Sequence, residues 1–135
     1  MSKAARTTGD ETGPQGDLTL RIQAMPSDVN INGDIFGGWV LSQMDIASGI
    51  IAGQRAKGRV TTVALDAMKF IRPVKVGDVM CIYGRIERVG RSSMGVMIEA
   101  WALRFADGRR EKVTEAMFTY VAIDLNGRPR PVPAE

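Results

Sequence analysis

The feature that most constrains this chain is a single change of hydrophobic period. From Asp34 to about Lys57-Gly58 the pattern is helical: Trp39, Val40, Leu41, Met44, Ile46, Ala47, Ile50 and Ile51 surround nearly the whole circumference. A helix apolar all round is expected to be buried rather than to lie on a wet surface. Asp34 is placed to cap its start and Gly58 to stop it. Ala47, Ser48, Gly49, Ala52 and Gly53 are small, which lets a sheet come close. After Gly58 the chain reads as strand throughout. Arg59 to Ile71, Val79 to Val89, Met94 to Phe105 and Lys112 to Asp124 are long runs bounded by Pro73, Val76-Gly77-Asp78, Gly90-Arg91-Ser92-Ser93, Ala106-Asp107-Gly108-Arg109 and Asn126-Gly127. These are turn chemistries. Before the helix, Leu18, Leu20, Ile22 and Ala24 alternate with Thr19, Arg21 and Gln23, the period of a half-buried strand.

The predicted order is therefore strand, long helix, then four long strands joined mostly by tight turns, which implies antiparallel neighbours. The class is α+β, with one buried helix wrapped by a curved antiparallel sheet of about five strands, the arrangement called a hotdog. One domain suits 135 residues. Residues 1–16 read as a flexible polar tail, 17–128 as the domain, and 129–135, with Pro129, Pro131 and Pro133, as an irregular tail. Long strands with open edges invite pairing, so a symmetric dimer is the minimum expectation. No run of apolar residues reaches the length of a membrane span, and Met1 to Asp17 lacks an apolar core, so the expected location is cytoplasmic.

The composition excludes much chemistry. There is no histidine and a single cysteine, Cys81. Ser-His-Asp and Cys-His catalysis, two-histidine metal sites and multi-cysteine zinc sites are thereby removed. Cys81, between Met80 and Ile82, reads as a small buried apolar residue. No metal or cofactor is expected. Any acid–base work falls to carboxylates, Lys, Tyr, water or backbone dipoles. The net charge of +3 is dispersed, and its densest run, Arg109-Arg110-Glu111-Lys112, follows a turn. That is a solvated hairpin tip rather than a nucleic-acid patch.

The segment Asn32-Gly33-Asp34-Ile35-Phe36-Gly37-Gly38-Trp39 is where chemistry is expected. Paired glycines are poor helix formers at a helix start. They permit close approach of the sheet, and they equally leave first-turn N–H groups open to a carbonyl oxygen, as an oxyanion hole does. Asp45 follows about two turns later on the same face, roughly 10 Å along the axis. A carboxylate on an apolar helix costs desolvation unless it is paired or useful. Bonding to backbone or to an arginine across an interface is one account, and a general base or nucleophile is the other. A substrate has to bridge the distance to Gly37 and Gly38, or a second subunit has to bring another helix end closer.

The run from Ala24 to Trp39, with Ser42-Gln43-Met44-Asp45, resembles the signature of the YciA-like bacterial acyl-CoA thioesterases. Gly58-Arg59-Val60, Val76-Gly77-Asp78, Val89-Gly90-Arg91-Ser92-Ser93 and Asp124-Leu125-Asn126-Gly127-Arg128 extend the match over nearly all the chain after Asp17. The resemblance implies hydrolysis of acyl-CoA to free acid and CoA in fatty acid metabolism, without a cofactor. It implies Asp45 as the catalytic carboxylate, and Gly37 and Gly38 as the polarising helix start. Asp34 and Phe36 beside them are expected at the substrate, Asp34 the weaker because a carboxylate cannot donate to an oxyanion. Arg91, Ser92 and Ser93 are expected to meet phosphate or pantetheine, while Arg55, Lys57 and Arg59 read as a solvated helix end sooner than as a further basic rim. A site at a dimer interface, and assembly as a hexameric trimer of dimers, follow from the same resemblance.

The chemistry suits such a toolkit. A thiol leaving group has a pKa near 8.5, so it needs little acid help. The competing readings are a thioesterase acting on acyl-carrier-protein and a non-catalytic acyl-CoA-binding protein.

Overall fold

A computed structural model describes residues 13–135; residues 1–12 of the expected N-terminal tail lie outside them. The elements are β1 (Asp17–Gln23), a 3-10 turn (Pro26–Asp28), α1 (Gly37–Ala56), β2 (Val60–Phe70), β3 (Val79–Val89), β4 (Ser93–Leu103) and β5 (Arg110–Ala122). All five strands form one antiparallel sheet in the order β1-β3-β4-β5-β2. The architecture is the expected α+β hotdog.

One expectation about neighbours fails. The tight turns at Gly90 and Gly108 make β3, β4 and β5 adjacent, but β2 does not pair with β3. It forms the far edge, against β5. Residues 71–78 carry the chain across from one edge region to the other, and Asp78 organises their arrival. Its carboxylate accepts the backbone N–H of Lys75 at 2.9 Å and of Phe105 at 2.9 Å, and pairs with Arg104 Nη1 at 2.7 Å. Arg104 in turn holds Glu111 at 2.8 Å and donates to the carbonyl of Pro73 at 2.9 Å. This network ties the crossing segment to the β4–β5 hairpin, and the two acids raise the affinity of Arg104 for its proton against the cost of burial.

The core lies between α1 and the concave face of the sheet. Along β4 the inward residues are Met94, Val96, Ile98, Ala100 and Ala102, and along β5 Ala116, Phe118, Tyr120 and Ala122. They meet Val40, Met44, Ala47, Ala52 and Ala56 of the helix. Close approach depends on missing side chains as well. A Cβ on Gly84 of β3 would stand 2.5 Å from Ile51 Cδ1 and 2.6 Å from Ile98 Cδ1, so the helix rests on that glycine. Cys81 is buried and unpaired.

Both helix ends differ from expectation. The N-cap is Phe36, with no capping side chain, and Asp34 instead pairs with Lys75. At the other end Lys57, not Gly58, takes the left-handed conformation, at φ 55. Gly58 is needed for space: Arg130 Nη2 lies 2.5 Å from where its Cβ would be and donates to the terminal carbonyl of Ala56 at 3.0 Å. The C-terminal segment carries no helix or strand but is fastened. Val132 N–H donates to Arg91 O at 2.7 Å, Arg55 Nη1 donates to Pro133 O at 2.6 Å, and Val132 packs on the core.

The helix is not buried all round in a single protomer. On α1, Ile46 is 52% and Ile50 42% exposed, and on β2, the edge strand where the ladder ends, Val63 (53%), Leu65 and Phe70 are open.

The buried Asp78–Arg104 pair gives a stability prediction. Asp78→Ala takes one of its two acids from Arg104 and leaves two N–H groups without an acceptor, and is expected to cost about 3–5 kcal/mol. Urea unfolding of the two proteins measures it. A loss below about 1 kcal/mol would show that the network is dispensable.

Candidate active site

A flank of α1, beside its core-facing stripe, carries Gly38, Leu41, Ser42 and Asp45 in helical register, and these four line one side of an open pocket of about 340 Å³. The other side is Thr62, Leu65 and Phe118 from β2 and β5. The strand register explains why Thr62 and Leu65 both face it. Thr62 pairs with Tyr120 and Leu65 with Phe118, and a bulge between Thr62 and Ala64 supplies the extra residue. Without that bulge, residues three apart on a strand would point to opposite faces.

Asp45 is the centre of the polar contacts. Its Oδ1 accepts from Thr62 Oγ1 at 2.8 Å and from the hydroxyl of Tyr120. Tyr120 is 2% exposed, and its oxygen also lies 2.7 Å from Ser48 Oγ and 2.8 Å from the backbone oxygen of Asp45. Burial, and then the bond to Asp45, push the Tyr120 hydroxyl up to about 12. It therefore stays protonated and can only donate to the carboxylate at neutral pH. Both donors converge on Oδ1, and among the described residues none reaches Oδ2.

The other expected residues are arranged as follows. Gly38 lines the Asp45 pocket with open space where a Cβ would be. Gly37 turns the other way, its missing Cβ 3.2 Å from the Phe70 ring, and lines a neighbouring cleft of about 320 Å³ with Asn30, Asp34, Arg72 and Val74. Asp34 thus lies at the helix start but outside the Asp45 pocket, held by Lys75. Phe36 is half exposed and lines neither hollow. Arg91, Ser92 and Ser93 lie in the β3–β4 turn, apart from both hollows. Their backbone is in use, since Ser93 O accepts from Gly90, Ser92 O from Ala122 and Arg91 O from Val132. Arg55 holds the C-terminal segment, while Lys57 and Arg59 border a separate hollow with Asp124 and Arg130. Among the described residues no three His, Cys, Asp or Glu side chains gather where a metal could sit.

Sequence reasoning missed Thr62, Tyr120 and Ser48. Tyr120 carried a signal, being a polar hydroxyl at an inward position of β5 between Phe118 and Ala122. Ser48 stood among the small helix residues one turn beyond Asp45. Thr62 offered none, because its aim depends on the bulge.

The architecture is the hotdog fold, and the relatives of the chain give its class as a hotdog thioesterase. Residues 32–104 match the family model of the thioesterase superfamily. The acyl-CoA thioester hydrolase YciA of Salmonella typhimurium is 53% identical over 132 residues, 96% of this chain and 98% of that protein. A solved hexameric thioesterase from Yersinia pestis superposes with a TM-score of 0.86 at 52% identity, over 90% of this chain and 99% of that one. A hexameric broad specificity acyl-coenzyme A thioesterase gives 0.86 at 53% identity, over 93% and 88%. The chain belongs to the thioesterase superfamily, and within it to the YciA acyl-CoA thioester hydrolases.

The raised Tyr120 hydroxyl sets a pH window. Its pKa is higher folded than unfolded, so its contribution to stability is complete below the unfolded value near 10. That contribution is lost as pH rises towards about 12. Denaturant unfolding at pH 9 and pH 11.5 is expected to show this fall, and Tyr120→Phe to lessen it. An equal fall in the variant would assign it to other groups.

Proposed function

We propose that this protein hydrolyses acyl-CoA thioesters, with Asp45 as the general base. The observation that carries this reading is the asymmetry of the Asp45 carboxylate at the pocket wall, with one oxygen anchored by two donors and the other without a hydrogen-bond partner among the described residues. A water activated by Asp45 attacks the thioester carbonyl carbon and passes its proton to the carboxylate. The carbonyl oxygen becomes an oxyanion, which first-turn N–H groups at Gly37 and Gly38 suit, since no side chain caps them. Collapse breaks the C–S bond, and the proton on Asp45 returns to the CoA thiolate. No cofactor is needed, because CoA is itself part of substrate and product.

One protomer does not complete this arrangement. Asp45 and Gly38 are separated by about 10 Å along one helix, while a carbonyl and its attacking water have to lie within about 3 Å. The reading therefore includes a dimer, with the carboxylate of one copy working against the helix start of a second. The exposed apolar side chains Val63, Leu65 and Phe70 on the open edge strand β2 support it. Further assembly to a hexamer, as in the solved relatives, is part of the same proposal. Arg91, Ser92 and Ser93 stay candidates for the CoA phosphates across such a subunit boundary, their side chains being at least partly exposed. A cytoplasmic setting suits the unpaired thiol of Cys81.

The test is thiol release from a panel of acyl-CoA chain lengths. Asp45→Asn is expected to lower kcat by about 10²–10⁴-fold with the fold retained; turnover equal to wild type would remove Asp45 from the mechanism. A single turnover in heavy-oxygen water separates the routes. Label in Asp45, or an acyl-enzyme caught by rapid quench, marks covalent attack; label in the free acid alone with no acyl-enzyme trapped marks a general base.

The interface has its own check. Val63→Glu puts a charge on the apolar edge and is expected to shift light-scattering mass from the oligomer to the monomer, with activity lost in parallel. Retained oligomer mass would place the interface elsewhere.

A further inference from the structure

The polar contacts behind Asp45 have an internal order that goes beyond naming a base. Ser48 and Tyr120 are both buried, on facing elements. The tyrosine has one hydroxyl proton and two acceptors within reach, Oδ1 and the backbone oxygen of Asp45. The charged acceptor makes the stronger bond. With that proton committed to Oδ1, the 2.7 Å contact to Ser48 needs the serine as donor, and the phenol oxygen has a lone pair to accept. The carbonyls of Met44 at 2.8 Å and Asp45 at 3.3 Å are the other acceptors within reach of Ser48. When the serine donates to the phenol oxygen, the order runs Ser48 to Tyr120 to Asp45.

We propose that Tyr120 is a positioning residue for thioester hydrolysis: it fixes the Asp45 carboxylate with Oδ1 turned to the core and Oδ2 turned to the pocket. This rests on the reading of Asp45 as the base. Thr62 approaches the same oxygen from β2, directly across the ladder from Tyr120. Two donors from neighbouring strands on one oxygen define a rotamer that either alone leaves free to turn. The arrangement is ordered by the core before substrate arrives, so the cost of orienting the base is met in folding.

Tyr120→Phe removes the donor and keeps the ring that stacks near Phe118. With the base free to turn, kcat is expected to fall about 10–100-fold, the scale of a misplaced catalytic group. KM is expected to stay within about twofold, because Tyr120 does not line the pocket. A packing role alone would lower the melting temperature and the amount of folded enzyme, with kcat per folded active site unchanged. Steady-state kinetics on long and short acyl-CoA, normalised to folded oligomer, reads the difference. Ser48→Ala is the second variant, expected to give a smaller loss in kcat with KM again unchanged, and it keeps the test open if Tyr120→Phe folds poorly. Wild-type kcat in either folded variant, or a loss confined to KM, overturns the positioning role. Asp45→Asn run alongside separates the two ideas. If it is fully active, the reading of Asp45 fails. If it is inactive while Tyr120→Phe and Ser48→Ala match wild type, only the role of Tyr120 fails.

Discussion

The structure depends on one helix lying against a single curved sheet with nothing between them. That closeness is possible because α1 spends its contact face on Ala47, Ser48, Ala52 and Ala56, and because β3 offers Gly84 where the helix comes nearest. Interiors pack at near-crystalline density, so contact this close transmits position well. A polar side chain on that helix is held by whatever the sheet presents to it. Asp45 is the case in point, since Tyr120 and Thr62 reach it directly from two paired strands.

The same geometry leaves the fold unfinished at one edge. The sheet covers one face of α1 and ends at β2, so Val63, Leu65 and Phe70 remain open on a strand with one unpaired edge. Apolar surface next to an open edge is costly to leave in water and prone to stray association. A second copy of the same edge satisfies both needs. It also addresses the chemical difficulty that Asp45 and Gly38 stand two turns apart on their own helix. Stability and catalysis thus favour the same contact.

A second constraint lies far from the pocket. Because β2 sits at the opposite edge from β3, the chain has to cross the molecule between them, and Asp78 with Arg104 and Glu111 pins that crossing. The Val76-Gly77-Asp78 motif is structural in origin: Gly77 takes φ 93 and lies against the Phe105 ring, while Asp78 gathers the N–H groups around it. Its charge is satisfied in place.

Much of this was legible in the sequence. Period and turn chemistry are local, so they marked one helix and five strands, with ends within a few residues. Asp45 stood out because a carboxylate interrupts an apolar helix, and the Gly37-Gly38 pair because glycine is unfavourable where it stands. Pairing order, caps and hydrogen-bond partners are not local. That β2 lies beside β5, that Phe36 rather than Asp34 begins the helix, and that Lys57 rather than Gly58 ends it were decided by packing. Thr62 faces the pocket only because a bulge shifts its strand, and Tyr120 reaches Asp45 only because β5 passes under that turn of the helix. A carboxylate on an apolar helix was visible in the residues alone, whereas the donors that hold one of its oxygens came with the fold, since Thr62 and Tyr120 are distant in the chain.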